Sequence, residues 1–136
     1  FFESAEVFGH YYGTSLIQLE SRLAEGADVI LEIDWQGAQQ VRQLLPDSAW
    51  LFILPPSIEA LKIRLQNRAQ DNADTIELRM RAARDEMSHW HEADYLIIND
   101  NFDSALEELR ALVRSLRLRT DQQQSALHDL IDDLLL

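Results

Sequence analysis

Residues 49–67, AWLFILPPSIEALKIRLQN, join a short apolar run to a segment with helical spacing. The run at 49–56 mixes aromatic and aliphatic residues, as expected of a strand that is buried on both faces. Ser57 stands directly before the helical pattern, where an N-cap residue belongs. This stretch therefore predicts a buried strand that leads directly into a helix.

Two further apolar runs extend this alternation of strand and helix. They are ADVILEID at 27–34 and DYLIIND at 94–100, and both are rich in Ile. Gly26 has the position of a helix C-cap glycine, and Asp103 has that of an N-cap residue. Helical patterns surround the runs, at 14–25, 37–45, 57–67, 75–91 and 103–119. The alternation predicts an α/β fold with a parallel sheet and right-handed crossovers. The last residues, 120–136, are predicted to form a polar hinge, DQQQS, and a short amphipathic helix.

Composition excludes several classes of protein. The 136 residues carry a net charge of −12, which argues against a nucleic-acid binder because phosphate contacts need a basic surface. No run approaches the ~20 apolar residues of a membrane span, and nothing resembles a signal peptide. The absence of cysteine excludes disulfides and thiol chemistry and suits a cytoplasmic location. Because the chain begins with Phe1 and not Met, we expect the native N-terminus to lie elsewhere.

Basic residues are concentrated in one part of this acidic chain. Six of the 12 lie between positions 62 and 84, namely Lys62, Arg64, Arg68, Arg79, Arg81 and Arg84. Arginine binds phosphate and carboxylate groups through its forked guanidinium, so this cluster suits a small polyanion. The alternative is a helix face with exposed salt bridges, since acidic residues lie nearby.

Polar residues follow the apolar runs at their carboxyl ends. Asp34 ends the first run, and Asn99 and Asp100 end the third. Open parallel sheets bind ligands beyond these ends of their strands. A carboxylate there is typical of phosphoryl-transfer enzymes, although it is also an ordinary way to end a strand. The stretch NRAQDNADT at 67–75 has few apolar anchors and suits a movable lid. Together with the arginines, these features indicate phosphoryl transfer.

The remaining polar and aromatic clusters predict structure more than chemistry. His89 and His91 lie two residues apart in a helical pattern and do not face one another, so no metal site is expected there. Trp35 and Trp50 are expected in the core. His128, among acidic residues of the tail, is expected on a solvated helix face.

Five motifs in order resemble the guanylate kinase family. They are EVFGHYYGTS (6–15), LEIDWQGAQQVR (31–42), FILPPS (52–57), LKIRLQNRAQD with RMRAARDEMSH (61–71 and 79–89), and YLIINDNFDSALEEL (95–109). The resemblance runs from Phe1 to about Arg119. It implies a three-layer, P-loop NTPase-like parallel sheet with flanking helices, truncated at its N-terminus, with a lid segment around 64–80. The family's phosphate loop, G-x-x-x-x-G-K-[ST], has no counterpart in these residues, whose glycines stand at 9, 13, 26 and 37. The chain thus resembles the C-terminal two thirds of such a kinase.

The same resemblance implies an organisation and a GMP-binding set. Residues 1–15 would end the GMP-binding region, 16–119 would form the α/β core with its lid, and 120–136 would form a helical tail. Glu3 and Thr14 would read the guanine base, and Tyr12 would hold the GMP phosphate. Asp34 would lie at the base of the substrate site.

The resemblance also implies the phosphoryl-transfer set. Arg64, Arg68 and Arg79 would neutralise the migrating phosphoryl group, and Asn99 would lie beside the adenine of ATP. The implied activity is transfer of the terminal phosphate of ATP to GMP, with ATP and Mg²⁺ as cofactors and no resident metal site. The chain by itself is expected to be inactive, because the phosphate loop is missing from it.

A second hypothesis is a non-catalytic guanylate-kinase-like module that binds phosphorylated peptides. The enzyme is favoured by retention of Glu3, Thr14, Arg64, Arg68 and Arg79, since a peptide binder does not need arginines on the ATP side. The resemblance also places the missing strand between residues 29–34 and 51–55. Unpaired strand edges promote association, so a homo-oligomer is a further expectation.

Overall fold

The computed structural model describes residues 3–7, 10–14, 16–69 and 72–136, and the side chains of residues 18–68 and 72–136. Among the described residues the strands are β1 (Glu3–Val7), β2 (His10–Thr14), β3 (Leu51–Leu54) and β4 (Tyr95–Ile98). The helices are α1 (Leu16–Ala24), α2 (Trp35–Leu44), α3 (Ile58–Ala69), α4 (Ala73–Ser88), α5 (Phe102–Arg117), α6 (Thr120–Ala126) and α7 (His128–Leu135). A 3₁₀ turn, Trp90–Glu92, follows α4.

The backbone contacts divide the chain into two compact units. The first unit comprises Phe1–Phe52 and Lys62–Leu96, and the second comprises Ile53–Leu61 and Ile97–Leu136.

Strands β3 and β4 pair with each other and run parallel. The backbone N–H groups of Asp94 and Tyr95 donate to the Trp50 carbonyl at 2.8 and 3.2 Å, and the Asn99 N–H donates to the Leu54 carbonyl at 2.8 Å. The later residue of one strand pairs with the later residue of the other, so the two strands run in the same direction. The helices and this parallel pair confirm the α/β class predicted from the sequence.

Strands β1 and β2 form a separate antiparallel ribbon. Its register opposes Glu3 to Thr14, Ala5 to Tyr12, and Val7 to His10. The glycine- and tyrosine-rich stretch near the N-terminus is thus part of an antiparallel pair.

The strand predicted at residues 27–34 is wrong. Val29, Leu31 and Ile33 pack against a small core of Leu19 and Val41, whereas Ile30 is 69% exposed. This alternation with a period of two is that of an extended segment. A strand also needs a ladder of hydrogen bonds to a neighbour, and no strand pairs with this segment in the described ranges.

Two of the predicted helix ends are confirmed. Gly26 has a φ of +82°, and its N–H donates to the Leu23 carbonyl at 3.0 Å while the Ala27 N–H donates to the Arg22 carbonyl at 3.2 Å. This pair of bonds is a Schellman motif, which requires a left-handed residue at the position of Gly26. The Ser57 hydroxyl accepts the Ala60 N–H at 3.0 Å and caps α3 as expected.

Two other predictions are wrong, one about the cap of a helix and one about a hinge. The cap of α5 is Asn101, whose side chain accepts the Ser104 N–H at 3.0 Å, and Asp103 lies in the first turn of that helix. The polar stretch DQQQS lies inside α6 and does not form a hinge. Five polar residues in a row have adequate helix propensity, and a sequence pattern without apolar residues does not reveal it.

Arg42 of α2 joins three parts of the first unit. Its Nη1 donates to the Glu92 carbonyl at 2.6 Å, and its Nη2 pairs with the Asp94 carboxylate. Asp94 also accepts the Trp50 N–H at 2.8 Å, and the Arg42 guanidinium lies 5.2 Å from the centre of the Trp50 ring. These contacts attach the beginnings of β3 and β4 to α2.

We expect Arg42→Ala to lower the free energy of unfolding by about 1–2 kcal/mol. The substitution removes a charge-assisted bond to a backbone carbonyl and leaves Asp94 with one partner fewer, although partial exposure screens the ion pair. The matched control is Arg22→Ala, which removes an exposed arginine 3.8 Å from Glu25. Urea unfolding of the 136-residue chain measures both variants, and an equal effect at the two positions would contradict the role assigned to Arg42.

Candidate functional site

Most of the predicted site positions belong to one unit of the structure. The first unit contains Glu3, Tyr12, Thr14, Asp34, Arg64, Arg68 and Arg79, whereas Asn99 belongs to the second.

The ribbon of β1 and β2 carries the positions predicted to bind GMP. Glu3 is directly opposite Thr14, and Tyr12 is opposite Ala5. Directly opposed residues of an antiparallel pair have Cα atoms about 4.5–5.5 Å apart, so positions 3 and 14 are immediate neighbours. The side chains of Glu3, Tyr12 and Thr14 lie outside the described residues. Strand β1 also contacts α2, which brings the ribbon to the helix that Asp34 precedes.

Asp34 is the N-cap residue of α2. Its backbone is extended, with φ −83° and ψ 179°, and its Oδ1 accepts the Gly37 N–H at 2.9 Å. The first N–H groups of a helix have no partner within the helix and carry partial positive charge, so a carboxylate is stable there. The sequence placed Asp34 at the end of a strand. The structure places it at the start of a helix, half-buried.

A second carboxyl group, that of Glu86 on α4, lies beside Asp34. Burial, followed by the neighbouring charge of Asp34, raises the pKa of Glu86 from 4.5 to about 7, although its carboxylate also accepts the Trp35 backbone N–H. This residue is not among the site positions predicted from the sequence. The pattern of α4 offered one signal, since Glu86 lies seven residues after Arg79 and so on the same face of the helix.

Aromatic stacking fixes the residue that follows Asp34. The Trp35 ring stacks on the His89 ring with centroids 3.8 Å apart and planes 9° apart. Glu92 holds the His89 ring in place, because its carboxylate pairs with His89 Nδ1. The same carboxylate accepts a hydrogen bond of 2.6 Å from Gln39 Nε2. Hydrogen bonds from Gln39 and then His89 lower the pKa of Glu92.

The two histidines at positions 89 and 91 have different partners. His89 faces Trp35 and Glu92, whereas His91 meets the Trp90 ring edge-on at 5.8 Å. Within the part of the chain that the structure describes, no group of three or more His, Asp or Glu side chains is arranged to hold a metal ion.

The arginines predicted to contact the phosphoryl group lie on α3 and α4. Arg64 and Arg68 are one turn apart on α3 and exposed, and Arg79 is half-buried on α4. The two helices flank a groove of about 450 Å³, which is lined by Lys62, Gln66, Ala73, Ile76, Glu77, Met80 and Arg84. Helices α3 and α4 therefore both border this groove, but none of the three predicted arginines is among the residues that line it. The alternative of an exposed salt bridge holds for Arg81, whose Nε is 3.7 Å from Glu77.

None of the helices in the described ranges combines the length and the apolar character that a membrane crossing requires.

Comparison with known proteins gives consistent matches. A family model described as guanylate kinase matches residues 1–116. A guanylate kinase of Methylobacillus flagellatus is 58% identical over 135 residues, which are 99% of this chain and 67% of that protein. One of Hahella chejuensis is 59% identical over 124 residues, which are 91% of this chain and 60% of that protein. The crystal structure of guanylate kinase from Anaplasma phagocytophilum superimposes with a TM-score of 0.73 at 29% identity, covering 90% of this chain and 63% of that one. The chain thus spans about two thirds of the length of these relatives.

Proposed function

Because the chain belongs to the guanylate kinase family, we propose that it is part of an enzyme that phosphorylates GMP. The reaction transfers the terminal phosphoryl group of ATP to GMP and yields ADP and GDP. The observation that carries this proposal is the family match over residues 1–116, which includes all eight site positions predicted from the sequence, Asn99 among them.

The proposed reaction needs positioning and charge more than covalent help from the protein. An oxygen of the GMP phosphate forms a bond to the terminal phosphorus of ATP, and the bond from that phosphorus to the bridging oxygen of ADP breaks. Negative charge spreads over the oxygens of the migrating group, and guanidinium groups stabilise it. Arg64, Arg68 and Arg79 are the residues proposed for this role, and the half-buried position of Arg79 supports it, because a charge acts more strongly where water is excluded.

Recognition of GMP is proposed for the ribbon and the residue that caps α2. The register that opposes Glu3 to Thr14 supports a shared contact with one base, and Tyr12 is proposed to hold the phosphate. Asp34 caps the start of α2, the helix that β1 contacts. Asn99 is proposed to lie beside the adenine of ATP.

Magnesium is proposed to enter with ATP. Mg²⁺ in phosphoryl-transfer sites keeps several waters and binds mainly through substrate phosphates and one or two carboxylates. A cytoplasmic location and association into a homo-oligomer stay predictions.

The alternative of a peptide-binding module receives less support. The relatives that match most of this chain are named guanylate kinase, and the arginines of α3 and α4 suit a nucleotide with several phosphates.

The test compares this chain with a completed protein, defined as this chain joined to the third of the Methylobacillus flagellatus guanylate kinase that it does not span. We expect the completed protein to release ADP in a GMP-dependent manner and the 136-residue chain alone to show no release above background. The reason is that a phosphate loop supplies the backbone amides and the lysine that hold the donor phosphates, and these 136 residues contain no such motif.

A coupled ADP-release assay measures both proteins. Activity of the purified chain alone at a rate near that of the completed protein would contradict the expected inactivity. Lack of activity in a folded completed protein, with calorimetric binding of a phosphorylated peptide, would favour the alternative.

A further inference from the structure

We propose that Glu86 is a positioning residue of the nucleotide site, because its carboxyl group ties the helix that carries Arg79 to the first turn of the helix that Asp34 caps. The proposal rests on the proposed function and adds a residue to it.

Two carboxyl groups from different helices meet at the start of α2. Asp34 accepts the Gly37 N–H at 2.9 Å from within the same turn, and Glu86 accepts the Trp35 N–H from α4. The first N–H groups of a helix need partners from outside its own ladder. Glu86 therefore adds a second cap to α2, and this bond joins α4 to the residue next to Asp34.

A second contact acts on the same residue from the same helix end. His89, which caps the end of α4, stacks on the Trp35 side chain at 3.8 Å. Trp35 is thus held both by its N–H and by its ring. A shift of α4 along its axis would break both contacts, so the two together fix the position of α4 against α2.

The hydrogen bond from the Trp35 N–H to Glu86, called the tether below, is connected to Arg79 by a continuous helix. Arg79 and Glu86 are seven residues apart within α4, which is about two turns and about 10 Å along the helix axis. Both side chains are half-buried. Because an α-helix is stiff over two turns, the bond at Trp35 sets where Arg79 stands relative to Asp34.

The charges that face Glu86 make this tether sensitive to protonation. Asp34 acts on it from α2 and His89 from α4, whereas the exposed Asp85, also on α4, has the smallest effect of the three. Desolvation and then Asp34 raise its pKa to about 7, so the neutral form prevails at lower pH. In that form the carbonyl oxygen still accepts the Trp35 N–H without placing a second negative charge beside Asp34.

The sign of the effect on stability follows from the raised pKa. The unfolded chain releases the Glu86 proton near 4.5, whereas the folded chain keeps it up to about 7. The folded state therefore binds more protons between these values, and its stability falls as the pH rises through them. Glutamine, which keeps the acceptor and has no charge, should not show this loss.

The first test measures Glu86→Gln against the unsubstituted 136-residue chain by thermal unfolding. We expect the difference in Tm to shift in favour of Glu86→Gln between about pH 5 and about pH 8. Using the difference between two proteins cancels the contributions of titrating groups that do not interact with Glu86, and leaves Glu86 with the charges beside it. If the difference in Tm between the two proteins does not change with pH, the proposed contact of Glu86 with Asp34 and Trp35 is wrong.

The second test measures kinetics in the completed protein, with Asp85→Ala as the control from the exposed side of the same turn. We expect Glu86→Ala to lower kcat at least about tenfold, with KM for GMP changed less than about threefold, because Arg79 is proposed to act on the transition state. Glu86→Gln should restore kcat to within about threefold at a pH near 6.5, and Asp85→Ala should match the unsubstituted protein.

The outcomes separate this proposal from the proposed function. An inactive unsubstituted protein overturns the function, while the unfolding test still decides whether the tether exists. In an active protein, Glu86→Ala behaving like Asp85→Ala, or Glu86→Gln being as defective as Glu86→Ala, overturns the positioning role. If Glu86→Ala fails to fold, the positioning role is tested by two measurements on Glu86→Gln, the pH dependence of its Tm and its kcat.

Discussion

Replacement of Arg68 by alanine in the completed protein is expected to lower kcat about 100- to 1,000-fold and to change KM for GMP less than about threefold. Arg68 lies one turn after Arg64 on the same face of α3 and is exposed, so it can reach a ligand that approaches this helix. A guanidinium that meets the phosphoryl group mainly in the transition state contributes to turnover and not to binding of the substrate.

The control for this prediction is Arg81→Ala on α4. Arg81 is exposed and forms an ion pair with Glu77 at 3.7 Å, and such pairs contribute little. Its loss should change kcat less than about twofold. Steady-state kinetics with GMP varied at saturating ATP measure both variants. Equal losses in kcat and in affinity for GMP would instead make Arg68 a residue that binds the substrate.

The parts of the fold that the sequence predicted correctly depend on local chemistry. Gly26 ends α1 because only glycine adopts a φ of +82° at little cost, and Ser57 begins α3 through its own hydroxyl. The strand in 49–56 is also recognisable locally, since an apolar run that ends in two prolines cannot continue as a helix. Features of this kind need only a few neighbouring residues.

The features that were predicted wrongly depend on partners far along the chain. Residues 27–34 have the composition of a strand, yet a strand exists only where a neighbour completes its hydrogen bonds. The charge on Glu86 gave no indication of its environment, because its pKa is set by burial and by Asp34, which is distant in sequence. The sequence therefore identified Asp34 as a site candidate, whereas the position of Glu86 on the face of α4 that carries Arg79 did not by itself show that Glu86 lies beside Asp34.

The choice between Asn101 and Asp103 as the cap of α5 shows a finer limit. Both residues have side chains that accept a backbone N–H at a helix start, and they lie two positions apart. The helix begins at the earlier of the two, with Asn101 bonded to the Ser104 N–H at 3.0 Å. A pattern with two acceptable caps predicts the helix but not its first residue.

The base specificity of the proposed enzyme depends on the ribbon of β1 and β2. Guanine presents a ring N–H and an amine on the edge where adenine presents a lone pair and a C–H. A carboxylate at position 3 would accept two charge-assisted hydrogen bonds from guanine and would face a repulsive lone pair with adenine. The register places this position directly opposite Thr14, whose hydroxyl is proposed to donate to the guanine oxygen.

Glu3→Gln in the completed protein is therefore expected to lower the preference for GMP over AMP, expressed as the ratio of kcat/KM values, about 10- to 100-fold. An unsatisfied buried polar group costs about 1–3 kcal/mol, and a tenfold change corresponds to about 1.4 kcal/mol. Thr14→Ala should lower the ratio further when combined with Glu3→Gln. Tyr12→Phe should weaken both nucleotides about equally, because the phosphate that it is proposed to hold is common to them.

The matched control for the base contact is Glu6→Gln, the same substitution on the same strand at a position that pairs with Tyr11. It should leave the ratio unchanged, since no contact with the base is proposed there. A general effect of losing one negative charge would change the ratio in both Glu3→Gln and Glu6→Gln, and so would a weakened ribbon. A ratio that falls only in Glu3→Gln, with the Tyr12→Phe ratio unchanged, assigns base recognition to position 3, because a general loss of charge or a weakened ribbon would also change the ratio in Glu6→Gln. An unchanged ratio in Glu3→Gln would show that this ribbon does not read the guanine.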